Sequence, residues 1–183
     1  MIDLSPVIQA FFSPQLLLAL VISLAAIPLL RLPASRMGLV DHPGGRKQHQ
    51  MVATLVGGPA IVITSAISIS IWGLPSGFEG MAIAVLGLFV IGLIDDQHDI
   101  SAKLRLLVQA SLVGFALWMD GAWVSDVAIT SDVTLHLGVF NYPLTIIAIL
   151  GIMNAINMLD GLDGLSSGVV LIILAFLLSL SVL

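Results

Sequence analysis

The chain has no cysteine, which excludes both a disulfide framework and a thiolate metal site. It is also poor in charge: Lys, Arg, Asp and Glu together make up 9% of its 183 residues, against about a quarter in an ordinary soluble domain. A net charge of -5 argues against nucleic-acid binding. Neither a phosphate-binding P-loop nor a dinucleotide fingerprint occurs, so the soluble nucleotide-enzyme classes fit poorly. The first 13 residues contain Asp3 but no Lys or Arg, unlike a cleavable signal peptide, and the first apolar stretch is expected to be retained. No internal repeat, low-complexity tract or linker divides the chain, which reads as one transmembrane domain over residues 1–183.

What remains is oily. Hydrophobic residues make up 58% of the chain, and the mean hydropathy is +1.14. Crossing the roughly 30 Å hydrocarbon layer takes about 20 apolar residues. The charge-free runs are Leu4 to Leu30, Met51 to Phe78, Gly80 to Ile94, Leu106 to Met119, Val133 to Leu159 and Gly164 to Leu183. They predict an all-α integral membrane protein, a polytopic bundle of about six transmembrane helices. The third and fourth runs are short, and could mark a re-entrant hairpin. Charge placement argues against that. If the runs alternate across the bilayer, all six Lys and Arg (Arg31, Arg36, Arg46, Lys47, Lys103, Arg105) fall on one side. The opposite loops carry none, which by the positive-inside rule puts the N-terminus outside. Spans three and four then reach full length by letting Asp95, Asp96, Lys103 and Arg105 sit among the headgroups. Alternating apolar and polar residues from Val127 to Val139 predict a small extracytoplasmic β-hairpin.

Two polar clusters interrupt the oil, and both fall on the predicted cytoplasmic side. Asp95, Asp96 and Asp99 follow the third run; helical spacing makes Asp99 a neighbour of both others. Asn154, Asn157, Asp160 and Asp163 recur every third residue and form one polar stripe, with Gly161 and Gly164 allowing close backbone approach. A single Asp at a membrane edge is commonly just a solvated helix end, and an Asn stripe can simply bind neighbouring helices. Five carboxylates on one surface, with few cations expected nearby, call for a positive ligand. With oxygen donors and no thiolate, Mg²⁺ or Mn²⁺ suits best, and Mg²⁺ leaves positions for substrate phosphates. The stretch from Gly38 to Gln50 adds His42, Arg46, Lys47 and His49 in a Gly-rich setting, groups that hold phosphate oxygens or anchor to anionic lipid. Gly57-Gly58-Pro59 is expected to open the second span and to permit close helix packing.

Taken together, Gly38-Leu-Val-Asp41 with Arg46-Lys47-Gln-His49, Asp95-Asp96-x-x-Asp99-Ile-Ser101, and Asn154-Ala-x-Asn157-x-x-Asp160-Gly-x-Asp163-Gly164 resemble the polyprenyl-phosphate N-acetylhexosamine-1-phosphate transferases. Within that family the likeness is greater to the bacterial undecaprenyl-phosphate GlcNAc-1-phosphate transferases than to phospho-MurNAc-pentapeptide translocase. The resemblance implies transfer of a sugar 1-phosphate from a UDP-N-acetylhexosamine to a polyprenyl phosphate in the bacterial inner membrane, with the site facing the cytoplasm and Mg²⁺ or Mn²⁺ bound. It implies Asp95 and Asp96 as candidates for catalysis, and Asp95, Asp96 and Asn157 as metal contacts. Lys47, His49, Asn154, Asp160 and Asp163 become candidates for substrate binding. Two rival classes also gather carboxylates: an intramembrane prenyltransferase, whose Asp-rich motifs are spaced differently, and a divalent-cation transporter, whose carboxylates belong near the bilayer midplane.

The resemblance covers only about the N-terminal half of a usual member. A later metal-binding Asp and a His-rich motif of such proteins do not occur here. The last span also ends at Leu183 without a polar flank, so the bundle reads as truncated, and the expected protein partner is the missing half or a second copy. The purified 183-residue chain is therefore expected to form no lipid-linked sugar from UDP-GlcNAc and undecaprenyl phosphate, and normal turnover would refute this.

Overall fold

The computed structural model describes residues 5–41, 53–98, 100–130, 132–159 and 164–181. In chain order the elements are α1 (Ser5–Phe11), α2 (Pro14–Arg36), β1 (Val40–Asp41), β2 (Ala53–Thr54), α3 (Gly57–Trp72), α4 (Glu79–His98), α5 (Ala102–Asp120), β3 (Asp126–Ala128), β4 (Thr134–His136), α6 (Asn141–Leu159) and α7 (Leu165–Ser181). Three helical stretches, Pro6–Arg36, Ala102–Asp120 and Gly138–Leu159, are long and apolar enough to cross a membrane, and two shorter apolar helices are Gly57–Trp72 and Leu165–Ser181. Among the described residues no large side chain is fully buried, while Leu29 is 75% and Val139 85% exposed. Helices so apolar and so bare describe an all-α membrane protein whose outer surface suits lipid.

The boundaries differ from the charge-free runs in several places, three of which have a plain local description. The first run is broken at Ser13, whose hydroxyl accepts from the Leu16 N–H at 3.4 Å and starts α2, with Pro14 in the first turn. The second run opens not as helix but as β2, and α3 begins only at Gly57. The fourth helix starts earlier than its run, because Ser101 caps α5 through the Leu104 N–H at 3.4 Å and so draws Lys103 and Arg105 into the first turns.

By contact the chain falls into two compact units. In the first, formed by Met1–Trp72 and Ile156–Leu183, α2 packs on α3 and α1 on α7. Its buried positions are small: Ala26 and Ala34 on α2, and Ala60 and Thr64 on α3, with Ala60 only 1% exposed. Small residues let backbones approach, which is how helices associate without a hydrophobic driving force between them. Pro59 in the first turn of α3 costs no helical hydrogen bond. At the far end of α2, Gly38 adopts φ 74°, a left-handed conformation that favours glycine. The Leu39 N–H then returns to the Ala34 carbonyl at 2.9 Å. β1 follows directly and pairs antiparallel with β2, Val40 opposite Thr54 and Asp41 opposite Ala53. This ladder sets Asp41 and Ala53 side by side.

The second unit, Gly73–Ala155, is built on the α4–α5 hairpin. Gly80, Ala84 and Gly87 line one face of α4, at spacings of four and three residues. Against them lie Leu112, Val113 and Leu117 of α5. A Cβ on Gly87 would meet the Leu112 side chain at 2.8 Å. A Cβ on Gly80 would meet Asp120 Oδ1 and Met119 Cβ at 2.8 Å. That closeness lets the Asp120 carboxylate accept from the Gly80 and Met81 N–H groups, both at 2.7 Å. One acid at the end of α5 therefore caps the start of α4, satisfying two orphan donors and meeting the positive end of the helix dipole. On the other side of α5, the Tyr142 hydroxyl of α6 donates to the Gly114 carbonyl, and Tyr142 meets Trp123 edge to face at 6.2 Å. Between α5 and α6, β3 and β4 pair antiparallel with Val127 opposite Leu135. There the His136 ring holds Asp126 below the usual carboxylate range, helped by the Ser125 hydroxyl.

The cap predicts a graded response. Asp120→Asn keeps the shape but loses the charge and one acceptor, and Asp120→Ala orphans both donors, costing about 1–3 kcal/mol. Gly80→Val drives a branched side chain into α5. In detergent, thermal unfolding should give the lowest Tm for Gly80→Val and Asp120→Ala, with Asp120→Asn between these and the parent; an unchanged Tm for Asp120→Ala would contradict the cap.

Candidate functional site

Of the residues singled out from sequence, the structure describes Asp95, Asp96, Asn154 and Asn157. Lys47, His49, Asp160 and Asp163 lie outside the described residues, as do His42, Arg46 and Asp99. Asp95 and Asp96 occupy the last turn of α4, where the apolar face that packs on α5 has run out. Asn154 and Asn157 sit one turn apart near the end of α6, Asn154 half-buried and Asn157 exposed.

Asp95 is engaged at both oxygens. Oδ1 accepts from the Ile100 N–H at 3.1 Å, and Oδ2 from the Arg105 guanidinium at 2.8 Å. The first bond ties the end of α4 to the turn. The second ties it to the start of α5. Ser101 makes this possible, because its cap fixes where α5 begins and hence the side on which Arg105 emerges. The expectation that the acidic cluster would have few cations nearby does not hold for Asp95: Arg105 neutralises it. The pair is only partly shielded, with side chains 32% and 19% exposed. Asp96, the next residue, is exposed.

Arg105 also faces a groove of about 480 Å³ between α5 and α6. Leu106, Ile147 and Leu150 make its walls oily, and Asn154 stands among its lining residues. The Asn154 amide donates to Gln109 Oε1 at 3.3 Å and to the Leu150 carbonyl at 2.8 Å. The fold thus brings Asp95, through Arg105, to one rim of the groove that Asn154 lines. A separate cavity of about 390 Å³ among α4, α5 and α6 is almost wholly apolar, and its one charged lining residue, Asp120, is committed to the α4 cap.

Arg105 and Gln109 were missed as site residues in the sequence, where Arg105 reads as a membrane-edge cation. The available signal was the Ser101-x-x-Leu104 cap, which sets the phase of α5. Carboxylate and amide oxygens suit a hard divalent cation, and Mg²⁺ needs only one or two carboxylates beside phosphate oxygens. Among the described residues no three His, Cys, Asp or Glu side chains are grouped to hold a metal ion. Asp96 on α4 and Asn157 on α6 each offer oxygen donors of the type Mg²⁺ accepts.

Comparison with known proteins gives a consistent picture. Residues 78–183 match the family model for Glycosyl transferase family 4. An undecaprenyl-phosphate alpha-N-acetylglucosaminyl 1-phosphate transferase of Yersinia pestis is 35% identical over 140 residues, covering 75% of this chain and 38% of that protein. The protein of the same name in Escherichia coli K12 is 34% identical over 119 residues, covering 63% and 32%. A probable undecaprenyl-phosphate N-acetylglucosaminyl 1-phosphate transferase of Bacillus subtilis is 34% identical over 147 residues, covering 74% and 40%. The chain thus spans well under half the length of the curated relatives it matches. No solved structure matches it.

The Asn154–Gln109 bond should behave as a modest interhelical tie. Such bonds average about 0.6 kcal/mol in membrane proteins, so Asn154→Leu and Gln109→Leu should each lower stability slightly. A double-mutant cycle by thermal unfolding should show coupling of that order, and strict additivity would remove the tie from the account.

Proposed function

The chain belongs to glycosyl transferase family 4, and we propose that it forms the N-terminal part of an enzyme that moves a sugar 1-phosphate, GlcNAc-1-phosphate, from a UDP-sugar to undecaprenyl phosphate with release of UMP. The product is a lipid diphosphate sugar that begins O-antigen or another cell-envelope polysaccharide. One observation carries the reading: a clamped carboxylate turn at the end of an apolar helix, beside a groove with the Asp95–Arg105 pair at its rim and oily walls, in a chain whose relatives bear this activity in their names. Such a groove offers both halves of a lipid phosphate a suitable surface.

In this reading the six apolar helices span the inner membrane with the N-terminus outside. The β3–β4 hairpin is extracytoplasmic, and the α4–α5 turn faces the cytoplasm. Mg²⁺ or Mn²⁺, when bound, would supply neutralisation of charge on the transferred phosphoryl group. Its oxygen donors come from among Asp95, Asp96 and Asn157. Lys47, His49, Asp160 and Asp163, with Asn154, serve the nucleotide and sugar. An aspartate at the end of α4 orients the attacking lipid phosphate, and positioning supplies most of the remaining acceleration. A transporter is the poorer reading, because Asp95 and Asp96 lie in the last turn of α4 rather than halfway along it.

The test uses membranes containing the whole enzyme, given UDP-GlcNAc labelled in the sugar, and undecaprenyl phosphate. Label should enter the lipid fraction with stoichiometric UMP, EDTA should abolish transfer and Mg²⁺ restore it. Release of UDP in place of UMP would mean that the sugar moves without its phosphate and would sink the proposal.

A further inference from the structure

We infer that Asp95 is a positioning residue, locked by Arg105 and the Ile100 amide, and that it serves neither as the base nor as a metal ligand; this deepens, and rests on, the phosphoryl-transfer reading above. Both carboxylate oxygens of Asp95 are turned into the protein's own turn, one on the Ile100 N–H at 3.1 Å and one on Arg105 at 2.8 Å. Each contact joins α4 to something beyond it: the connecting turn in one case, α5 in the other. A cation bound at Oδ2 would sit against a guanidinium, and their repulsion disfavours it. Arg105 cannot relieve this by losing its proton, since guanidinium stays charged in proteins.

The surroundings favour a fixed arrangement. Ser101 sets the start of α5, and Arg105 lies on the rim of the groove. The Asp95 side chain is only 19% exposed. An isolated, partly exposed ion pair contributes little to stability, so the stronger consequence of this one is geometric. It holds the last turn of α4 in one orientation against α5. Asp96 follows one residue later, about 100° further round the helix, and is exposed. The clamp therefore decides where the Asp96 carboxylate is presented. The pair of aspartates divides into one that positions and one that meets the reacting groups.

The experiment compares Asp95→Asn, Arg105→Gln, their double variant, Arg105→Lys and Asp96→Asn in the whole enzyme. Misplacement of a reacting group by an ångström can cost about a hundredfold in rate. Asp95→Asn and Arg105→Gln should therefore each lower kcat by about tenfold to a hundredfold, with KM for the UDP-sugar unchanged. The double variant should be no slower than the slower single. Arg105→Lys, which can still reach one carboxylate oxygen, should recover most of the rate, and Asp96→Asn should fall well below all of them. Near-complete loss in Asp95→Asn beside a normal Arg105→Gln would overturn the inference, as would two independent, multiplying losses or no loss in either. Thermal unfolding of the same variants gives a second readout: the two single effects on Tm should be non-additive, and additivity counts against the clamp. If the parent enzyme itself transfers no sugar phosphate, the functional reading fails while the Tm cycle still decides whether the clamp exists.

Discussion

The backbone groups at helix ends have no partners within their own helix, and their satisfaction governs how the α4–α5 hairpin is built. The α4–α5 hairpin meets this demand with a carboxylate at each end. Asp120 caps the first N–H groups of α4 at one end, and Asp95 bridges the turn to α5 at the other. The charges also suit the helix dipole, with an acid at the start of α4 and Arg105 near its finish. Between the two ends the helices meet through Gly80, Ala84 and Gly87, because nothing larger would let α5 come close enough for Asp120 to reach. The packing, the cap and the clamp are therefore one arrangement.

That arrangement explains why the chemistry gathers where it does. Small residues on α4 pack the hairpin along its apolar length, and its charged residues are confined to its ends. At one end they are used up by the cap. At the other, the clamp leaves Asp96 exposed on α4 and an oily groove between α5 and α6 with the Asp95–Arg105 pair at its rim. A rigid support beneath a small set of polar groups is what transfer of a phosphoryl group requires, since positioning rather than covalent chemistry carries most of the acceleration.

Much of this was legible in the sequence. Long apolar runs gave the helical class, Gly57-Gly58-Pro59 marked the start of α3, and the motif residues pointed to a family that the comparison then supported. The ends of elements were harder to read. Nothing in hydropathy separates α1 from α2; that break depends on the Ser13 hydroxyl and Pro14. The β1–β2 ladder lies in stretches too short for a period of two to stand out. The partners of Asp120 and Arg105 lie 40 and 10 residues away in sequence, a distance that hydropathy does not bridge. Contacts across a hairpin depend on helix phase, and helix phase depends on a cap such as Ser101.

The central claim is that Asp95 is held by the protein itself and so presents its neighbour. A high-resolution structure of the whole enzyme with UDP-GlcNAc and Mn²⁺, using the metal's anomalous scattering, tests it most directly. The account predicts Asp95 still joined to Arg105 and the Ile100 amide, with no metal bonded to it. A metal ion bonded to Asp95, with Arg105 turned away, would contradict it.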